Sequence, residues 1–257
     1  MKIIFLGTGT SVSVPMIGCK CTVCKSDDPH NKRRRSSLYV EAAGTHIVID
    51  TPPDFREQAL QYDLPRVDAV VFTHSHADHT LGFDDIRRFN TVQNCVIPAF
   101  ASPEVTADLM RIFDYIHTER KIADVYRPRI DFRVVSGPFD IGGVHLEPLP
   151  VVHGEKPTQG YLLQAEGRRI GYVPDCLRMG DDIVERLNGV DLMILDALRD
   201  RPHLTHLTLE DSLALLKRIG ARQSYIIHMC HELEHSATEK RLPESVGISF
   251  DGLTLTL

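Results

Sequence analysis

The chain has no run of 18 or more apolar residues, which excludes a membrane-spanning helix. It has no excess of positive charge: 29 Lys and Arg stand against 35 Asp and Glu, a formal net charge of −6. It therefore lacks the global basic footprint of a nucleic-acid binder, and any such contact would have to come from a local groove. No Pro/Gly/Ser-rich stretch or break in composition marks a linker. No self-similarity at periods of 20–50 residues points to a solenoid or propeller. Tryptophan is absent, and aromatic residues make up only 7%. The apolar run at Ile3–Leu6 is too short for a signal-peptide core and meets Gly7 at once. It reads as a first strand, with a cytoplasmic, reducing compartment as the expectation. The six cysteines are then thiols or metal ligands rather than disulfides.

What is present is ordinary globular composition, 257 residues with 42% hydrophobic and 25% charged, enough to bury a core without staples. The exception is histidine, with 13 copies. Imidazole is the commonest protein metal ligand and a frequent acid or base, so their positions matter.

Strand patterns fall at Lys2–Gly7, at Leu38–Ala42 and His46–Asp50 as a hairpin around Ala43-Gly44, and at Asp68–Thr73 and Val96–Phe100. More follow near Phe132–Val135, Val144–Pro150, Tyr161–Gln164, Arg169–Val173, Leu192–Leu195, Ser224–Ile227 and Gly252–Leu257. Helical spacing marks Pro53–Tyr62, with Pro53 in the first turn, and Pro103–His117, Asp182–Leu187 and a segment capped by Thr208 with Asp211 that runs to Gly220. Residues 8–37 lack a period and form a long loop, whose cysteines argue that something pins it. Strands with interleaved helices and no boundary imply an α/β fold of two sheets with helices outside, as one domain over residues 1–257.

The densest signal is His74-Ser75-His76-Ala77-Asp78-His79, directly after an apolar strand. α/β proteins place ligand sites at the C-terminal ends of strands. Four donors within six residues can serve two metals about 3.5–4 Å apart, the spacing of a two-metal hydrolase. A second cluster, Cys19-x-Cys21-x-x-Cys24, has the spacing of a structural zinc site short of one ligand. His30, Cys230, His231 and His235 are candidates for that ligand, and spacing alone favours the local His30.

On His74, His76, Asp78 and His79 the sequence resembles the metallo-β-lactamase superfamily of metal-dependent hydrolases. His153, Asp175 and His228, each after an apolar strand, fit the remaining ligands in order. The resemblance implies an αββα sandwich of two mixed β-sheets flanked by helices. It also implies two divalent metal ions, Zn or Mn with Fe as a further option. One would be held by His74, His76 and His153, the other by Asp78, His79 and His228. Asp175 would bridge them together with a water or hydroxide.

The cysteine loop after the first strand resembles the PhnP-type phosphodiesterases within that superfamily, where the fourth ligand of a structural Zn is the second His of a His-x-x-His. Here that is His231. Residues 8–37 then become a zinc-bearing loop supporting the active-site floor. The expected activity is hydrolysis of small or cyclic phosphodiesters by the bridging hydroxide, with 1,2-cyclic ribose phosphates as one implied substrate. His206, just before the Thr208 cap, is the expected proton donor, and His203 competes for that role. His30, His46, His117, His145, His203 and His235 are otherwise left to ordinary structural positions.

Three features stay open. The turn Gly7–Ser11 either offers amides to phosphate or is only a tight turn. Arg33, Arg34 and Arg35 are expected on a solvated face. Residues 100–131, with Phe113, Tyr115, His117 and Tyr126, either form a lid over the pocket or pack as a helix on the outer face. A homodimer is the default assembly. The alternatives are a transfer-RNA 3′-processing-type endoribonuclease, opposed by the missing basic arm, and a PqqB-like cofactor-biosynthesis or binding protein, opposed by the complete ligand set.

Overall fold

The computed structural model describes residues 1–117 and 126–257. The first sheet opens with β1 (Lys2–Gly7), β2 (Ser37–Ala42), β3 (Thr45–Ile49), β4 (Ala69–Val71), β5 (Ile97–Ala101) and β6 (Ile130–Val134). The second contains β7 (Phe139–Ile141), β8 (Val144–Val152), β9 (Thr158–Ala165), β10 (Arg168–Val173), β11 (Arg178–Met179), β12 (Leu192–Asp196), β13 (Gln223–Ile227) and β14 (Val246–Ile248). The chain then returns to the first sheet as β15 (Thr254–Thr256).

The strand orders are β15-β1-β2-β3-β4-β5-β6 and β11-β8-β9-β10-β12-β13-β14, with β7 paired to β8. Both sheets are mixed. β1, β2 and β3 are antiparallel neighbours, whereas β3 to β6 run parallel. In the second sheet β8, β9 and β10 are antiparallel, and β10, β12, β13 and β14 are parallel.

The sheets are apolar on both faces, so their strands read as continuous hydrophobic runs rather than alternating ones. In β1, Ile3 and Phe5 face the core between the sheets, where they join Tyr161, Leu163, Tyr172 and Ile194. Ile4 and Leu6 face outward, against Phe55, Phe83, Ile86 and Leu109 of the flanking helices. On the far side Leu162, Met193, Leu195 and Ile226 pack against Ile183, Leu187, Leu216 and Ile219. The order of layers is helix, sheet, sheet, helix.

Most expected elements stand within a residue or two of their sequence signals. Thr208 Oγ1 accepts from Asp211 N at 3.1 Å, and Gly220 closes that helix in the left-handed region with φ 63°. Pro53 does not open its helix, which begins at Phe55 after Asp54. The segment expected as one helix over Pro103–His117 is two, Pro103–Ile112 and Asp114–His117, because Phe113 leaves helical geometry. Its ring is buried beside Phe83 at 5.6 Å between centroids. Tyr115 donates to Asp84, and Tyr126 lies under Arg87. These described parts of the 100–131 segment pack on the first sheet's outer layer; residues 118–125 lie outside the described residues. Helix Ile86–Gln93 escaped the sequence reading because only Ile86 and Asn90 of its eight residues are buried. No helix among the described residues is long and apolar enough to cross a membrane.

The arginine run corrects an expectation. Arg33 is only 1% exposed, and it donates through Nη1 to the carbonyl of Cys230 at 3.0 Å. Arg35 pairs with Asp54 at 3.0 Å and Arg34 reaches Gln61. The run is a clasp that fastens the long loop, not a solvated face.

Asp251 fastens both ends of the same loop. Its buried carboxylate accepts from Thr8 N, Thr8 Oγ1 and Arg34 N at 2.9, 2.8 and 2.7 Å. Burial pushes this carboxyl up to about 7 against the pull of those donors. A folded-state value above the unfolded value of about 4 means that the native state holds the proton more tightly. The stability so contributed is full below about pH 4 and is lost as pH rises through the folded value. Urea unfolding at about pH 5 and about pH 8 should therefore show wild type losing stability relative to Asp251→Asn as pH rises. Parallel pH dependence in the two proteins would contradict this account.

Candidate functional site

The loops after β4, β8, β10 and β13 bring His74, His76, Asp78, His79, His153, Asp175 and His228 to one end of the sandwich. The donor atoms of His74, His76 and His153 lie within 4.8 Å of one another, as do those of Asp78, His79 and His228, and those of His74, His79 and Asp175. Asp175 is central. Its carboxylate oxygens lie 3.1 Å from His79 Nε2, 3.4 Å from His228 Nε2, 3.5 Å from His153 Nε2 and 4.0 Å from His74 Nε2.

The group is buried and polar, yet its inner atoms lack partners. His79 Nε2, Asp175 Oδ1 and both ring nitrogens of His228 are buried with no hydrogen bond. Buried polar atoms are normally satisfied, and several orphans converging on one point is what a bound cation resolves. Protonation agrees with this. Burial lowers His74, His76 and His153, leaving neutral imidazoles, the form that binds a metal. Burial also opposes ionisation of Asp78 and Asp175, but the surrounding imidazoles outweigh it and hold both carboxyls low. His79 is the exception. Burial works against its proton, but Asp175, Asp50 and Asp78 together raise it well above the usual range. That is one positive charge where a divalent cation would bring two.

The ring orientations are set from behind. His79 Nδ1 donates to Asp50 Oδ2 at 2.8 Å, and Asp50 also accepts from Thr73 N and Thr73 Oγ1. His153 Nδ1 donates to the Thr205 carbonyl at 2.8 Å. Such partners fix which nitrogen faces a metal. Asp50 was missed from sequence, although its signal was the same as for Asp175: an Asp at the C-terminal end of an apolar strand.

His206 adjoins this group. Its ring centroid is 4.6 Å from those of His153 and His228, and Nε2 is 3.9 Å from Asp175 Oδ2. Nδ1 donates to Asp196 Oδ2 at 2.8 Å, and Asp196, fully buried at the end of β12, also takes the amide of Cys176. Sequence reasoning missed Asp196 too. His203 is exposed, 5.2 Å from the His206 ring, and accepts from Thr205 instead.

The cysteine cluster closes on His231, not on the locally favoured His30. His231 Nδ1 lies 3.3, 3.8 and 3.4 Å from the sulfurs of Cys19, Cys21 and Cys24. Zn–S and Zn–N bonds of about 2.3 and 2.0 Å at tetrahedral angles imply edges of roughly 3.5 Å, so the four atoms suit one zinc. His30 instead packs at a tilt against His235 and Phe250, with ring centroids 4.5 and 4.2 Å away. All six cysteines are unbridged.

The turn after β1 is a packing device. Thr8, Gly9 and Thr10 give their amides to Asp251, the Arg34 carbonyl and the Met229 carbonyl, so these three are committed within the fold. A Cβ at Gly7 would sit 2.0 Å from the Arg35 carbonyl. Helix Pro103–Ile112 reaches the site's edge through Asp108, which accepts from Ser75 at 2.6 Å and Lys156 at 2.9 Å.

Two mixed sheets between helices, with a histidine and aspartate cluster at one end, define a metal-dependent hydrolase architecture. The chain belongs to the β-lactamase superfamily: the family model for a beta-lactamase superfamily domain matches residues 45–229. A crystal structure of a diphosphatase from the PhnP family superposes with a TM-score of 0.91 at 36% identity, covering 100% of this chain and 97% of that one. Zinc-bound PqqB from Methylobacterium extorquens gives 0.82 at 21% identity with full coverage of both, a likeness of fold. An octanoyltransferase of Porphyromonas gingivalis is 32% identical over 256 residues, 98% of this chain. The chain spans about half, 51%, of that protein's length.

Two metal-content measurements follow. Asp78→Ala should lose metal from the histidine and aspartate cluster while zinc stays at Cys19, Cys21, Cys24 and His231. Loss of all metal would show that the two sites are not separable. Asp50→Ala should weaken metal retention about 10–100-fold in chelator competition, as removal of a ligand's supporting partner does.

Proposed function

We propose that the protein is a metal-dependent phosphodiesterase acting on small or cyclic phosphodiesters. The observation that carries this reading is the buried His206–Asp196 pair set against the metal-donor cluster. Cleaving a P–O bond to an alcohol requires a proton for the leaving oxygen, and a positioned imidazole supplies one. The likeness to a PhnP-family diphosphatase supports chemistry at phosphorus.

His74, His76 and His153 would hold one metal, Asp78, His79 and His228 the other, with Asp175 facing both. A separate group, Cys19, Cys21, Cys24 and His231, would hold a structural zinc. When bound, the catalytic pair supplies Lewis acidity and makes water nucleophilic near neutral pH. The chain's own groups do the rest. Asp50 and the Thr205 carbonyl hold His79 and His153 in one tautomer each. Asp196 fixes the His206 ring through Nδ1 and leaves Nε2 directed at the site, where the ring has to take up a second proton although burial lowers its hold on one. The diester's P–O bond breaks as a bond from phosphorus to the water oxygen forms, and the Nε2 proton goes to the departing oxygen. The products are a phosphomonoester and an alcohol, carried on one molecule when the diester is cyclic, and the proton lost by water restores His206.

The competing readings make different demands. A transfer-RNA processing enzyme needs a basic surface and would show steep salt dependence. A PqqB-like binding role would show no turnover. Metal-loaded protein tested on a model phosphodiester, a phosphomonoester, a lactone and a pre-transfer-RNA separates them, and the phosphodiester should be the preferred substrate. No diester turnover with Zn or Mn would sink the proposal. His206→Ala should lower kcat by about 10²–10⁴-fold with metal content unchanged; undiminished turnover would remove His206 from the mechanism.

A further inference from the structure

The histidine rings of the donor cluster are not held equally. His74 Nδ1 donates to Thr73 Oγ1 at 3.0 Å, His79 Nδ1 to Asp50 and His153 Nδ1 to the Thr205 carbonyl. His228 has no such partner, but its buried ring packs against the near-parallel rings of His79 and His206, with centroids 5.9 and 4.6 Å away. His76 has neither kind of support. Its ring is only half-buried, and its Nδ1 meets another donor, His74 Nε2, at 3.0 Å. Among the described residues no group outside the cluster bonds that ring. A donor ring without a partner behind it depends on its backbone for its aim.

That backbone is tied on both sides. The His76 carbonyl accepts from His79 N and from Thr80 Oγ1, each at 3.0 Å. On the other side Ser75, between His74 and His76, donates through Oγ to Asp108 Oδ2 at 2.6 Å. The same oxygen accepts from Lys156 Nζ at 2.9 Å, and Lys156 stands three residues after His153. Arg111, one turn along the helix, donates to Oδ1 at 3.1 Å. Asp108 rests on a fixed platform. Ser102 caps helix Pro103–Ile112 through Val105 N, and Val105 and Leu109 are buried in the first sheet's outer layer. A helix that supplies no donor thus joins the loop of His74 and His76 to the loop of His153 through one carboxylate. The short bond from Ser75 is the strong arm, since its acceptor is charged. The pairs with Lys156 and Arg111, both more than half exposed, are the weak ones.

We propose that Asp108 is a positioning residue for the donor set His74, His76 and His153, holding His76 through Ser75 and the His153 loop through Lys156. Its loss should weaken metal binding by that set and spare the set of Asp78, His79 and His228, which Asp108 does not touch. The inference rests on the division of donors between two metals given above, and not on the reaction that they serve.

Protein with zinc kept at the cysteine site and the histidine and aspartate cluster emptied is titrated with Co²⁺. Imidazole N–H protons beside bound Co²⁺ give strongly shifted proton NMR signals, which tell the set with three histidines from the set with two. In wild type both sets should fill. In Asp108→Ala the three-histidine set should bind Co²⁺ about 10–100-fold more weakly, as loss of a supporting partner does, while the other set binds as in wild type. Ser75→Ala cuts the strong arm without removing a charge and should show the same selective loss; it decides the matter if Asp108→Ala does not fold. Asp108→Asn keeps an acceptor for Ser75 and should bind more nearly as wild type does. Equal weakening of both sets, or no weakening in Asp108→Ala and Ser75→Ala, overturns the positioning role alone. A wild type that fills only one set would strike the two-metal division and the inference with it.

Discussion

The site turns on the Asp175 carboxylate, buried among the imidazoles of His74, His79, His153 and His228 with no protein partner for Oδ1. A buried carboxylate with an oxygen that makes no hydrogen bond is costly unless a cation stands beside it. His79 and His206 are turned away through Nδ1 by Asp50 and Asp196, and each keeps Nε2 for the interior. Three carboxylates thus stand in three different places: Asp175 faces the donor cluster, Asp50 braces His79 from behind, and Asp196 braces His206.

All three carboxylates stand at or just after the C-terminal ends of strands, β3 for Asp50, β10 for Asp175 and β12 for Asp196. The parallel pairs β3–β4, β10–β12 and β12–β13 direct those ends to the same side of the molecule. Strand ends alone do not aim a side chain, however. Asp50 and His228 both take left-handed backbone, each with φ 63°. Asp and His tolerate that region better than branched residues, and the turn it makes swings each side chain into the site at a modest local cost. Neighbouring bonds hold the turns: Asp50 N donates to the Val71 carbonyl, and Met229 N after His228 donates to the Thr8 carbonyl.

The sandwich was legible because strands buried on both faces leave unbroken apolar runs, as in Leu192–Leu195 and Ser224–Ile227. The histidine and aspartate ligand loop was legible because its donors are close in sequence. What escaped had no such local signature. Asp50 and Asp196 act only by touching His79 and His206, 29 and 10 residues away. Helix Ile86–Gln93 hides its role in Asn90, a polar residue whose side chain binds the backbone of Cys95 and Arg129. Arg33 was misplaced because charge runs usually face water, and nothing in Lys32-Arg33-Arg34-Arg35 says which member turns inward. His30 was the better zinc ligand by spacing alone, and only the fold carries His231 across more than 200 residues to the cysteines.

That last contact explains why a loop of about 30 residues is kept inside the fold. His228 belongs to one metal-donor group and His231 to the other, with Met229 and Cys230 between them. Met229 is clamped by Thr8 and Thr10 from the start of the loop, and the Cys230 carbonyl by Arg33 from its end. Asp251 then ties Thr8 to Arg34. The cysteine site therefore shares one rigid backbone bracket with the histidine and aspartate cluster. A shift of His231 away from the sulfurs would pull on Cys230 and Met229, and through them on His228. Zinc in the cysteine site would restrain a ligand of the other centre without touching it, which is a mechanical reason for a second metal site beside the first.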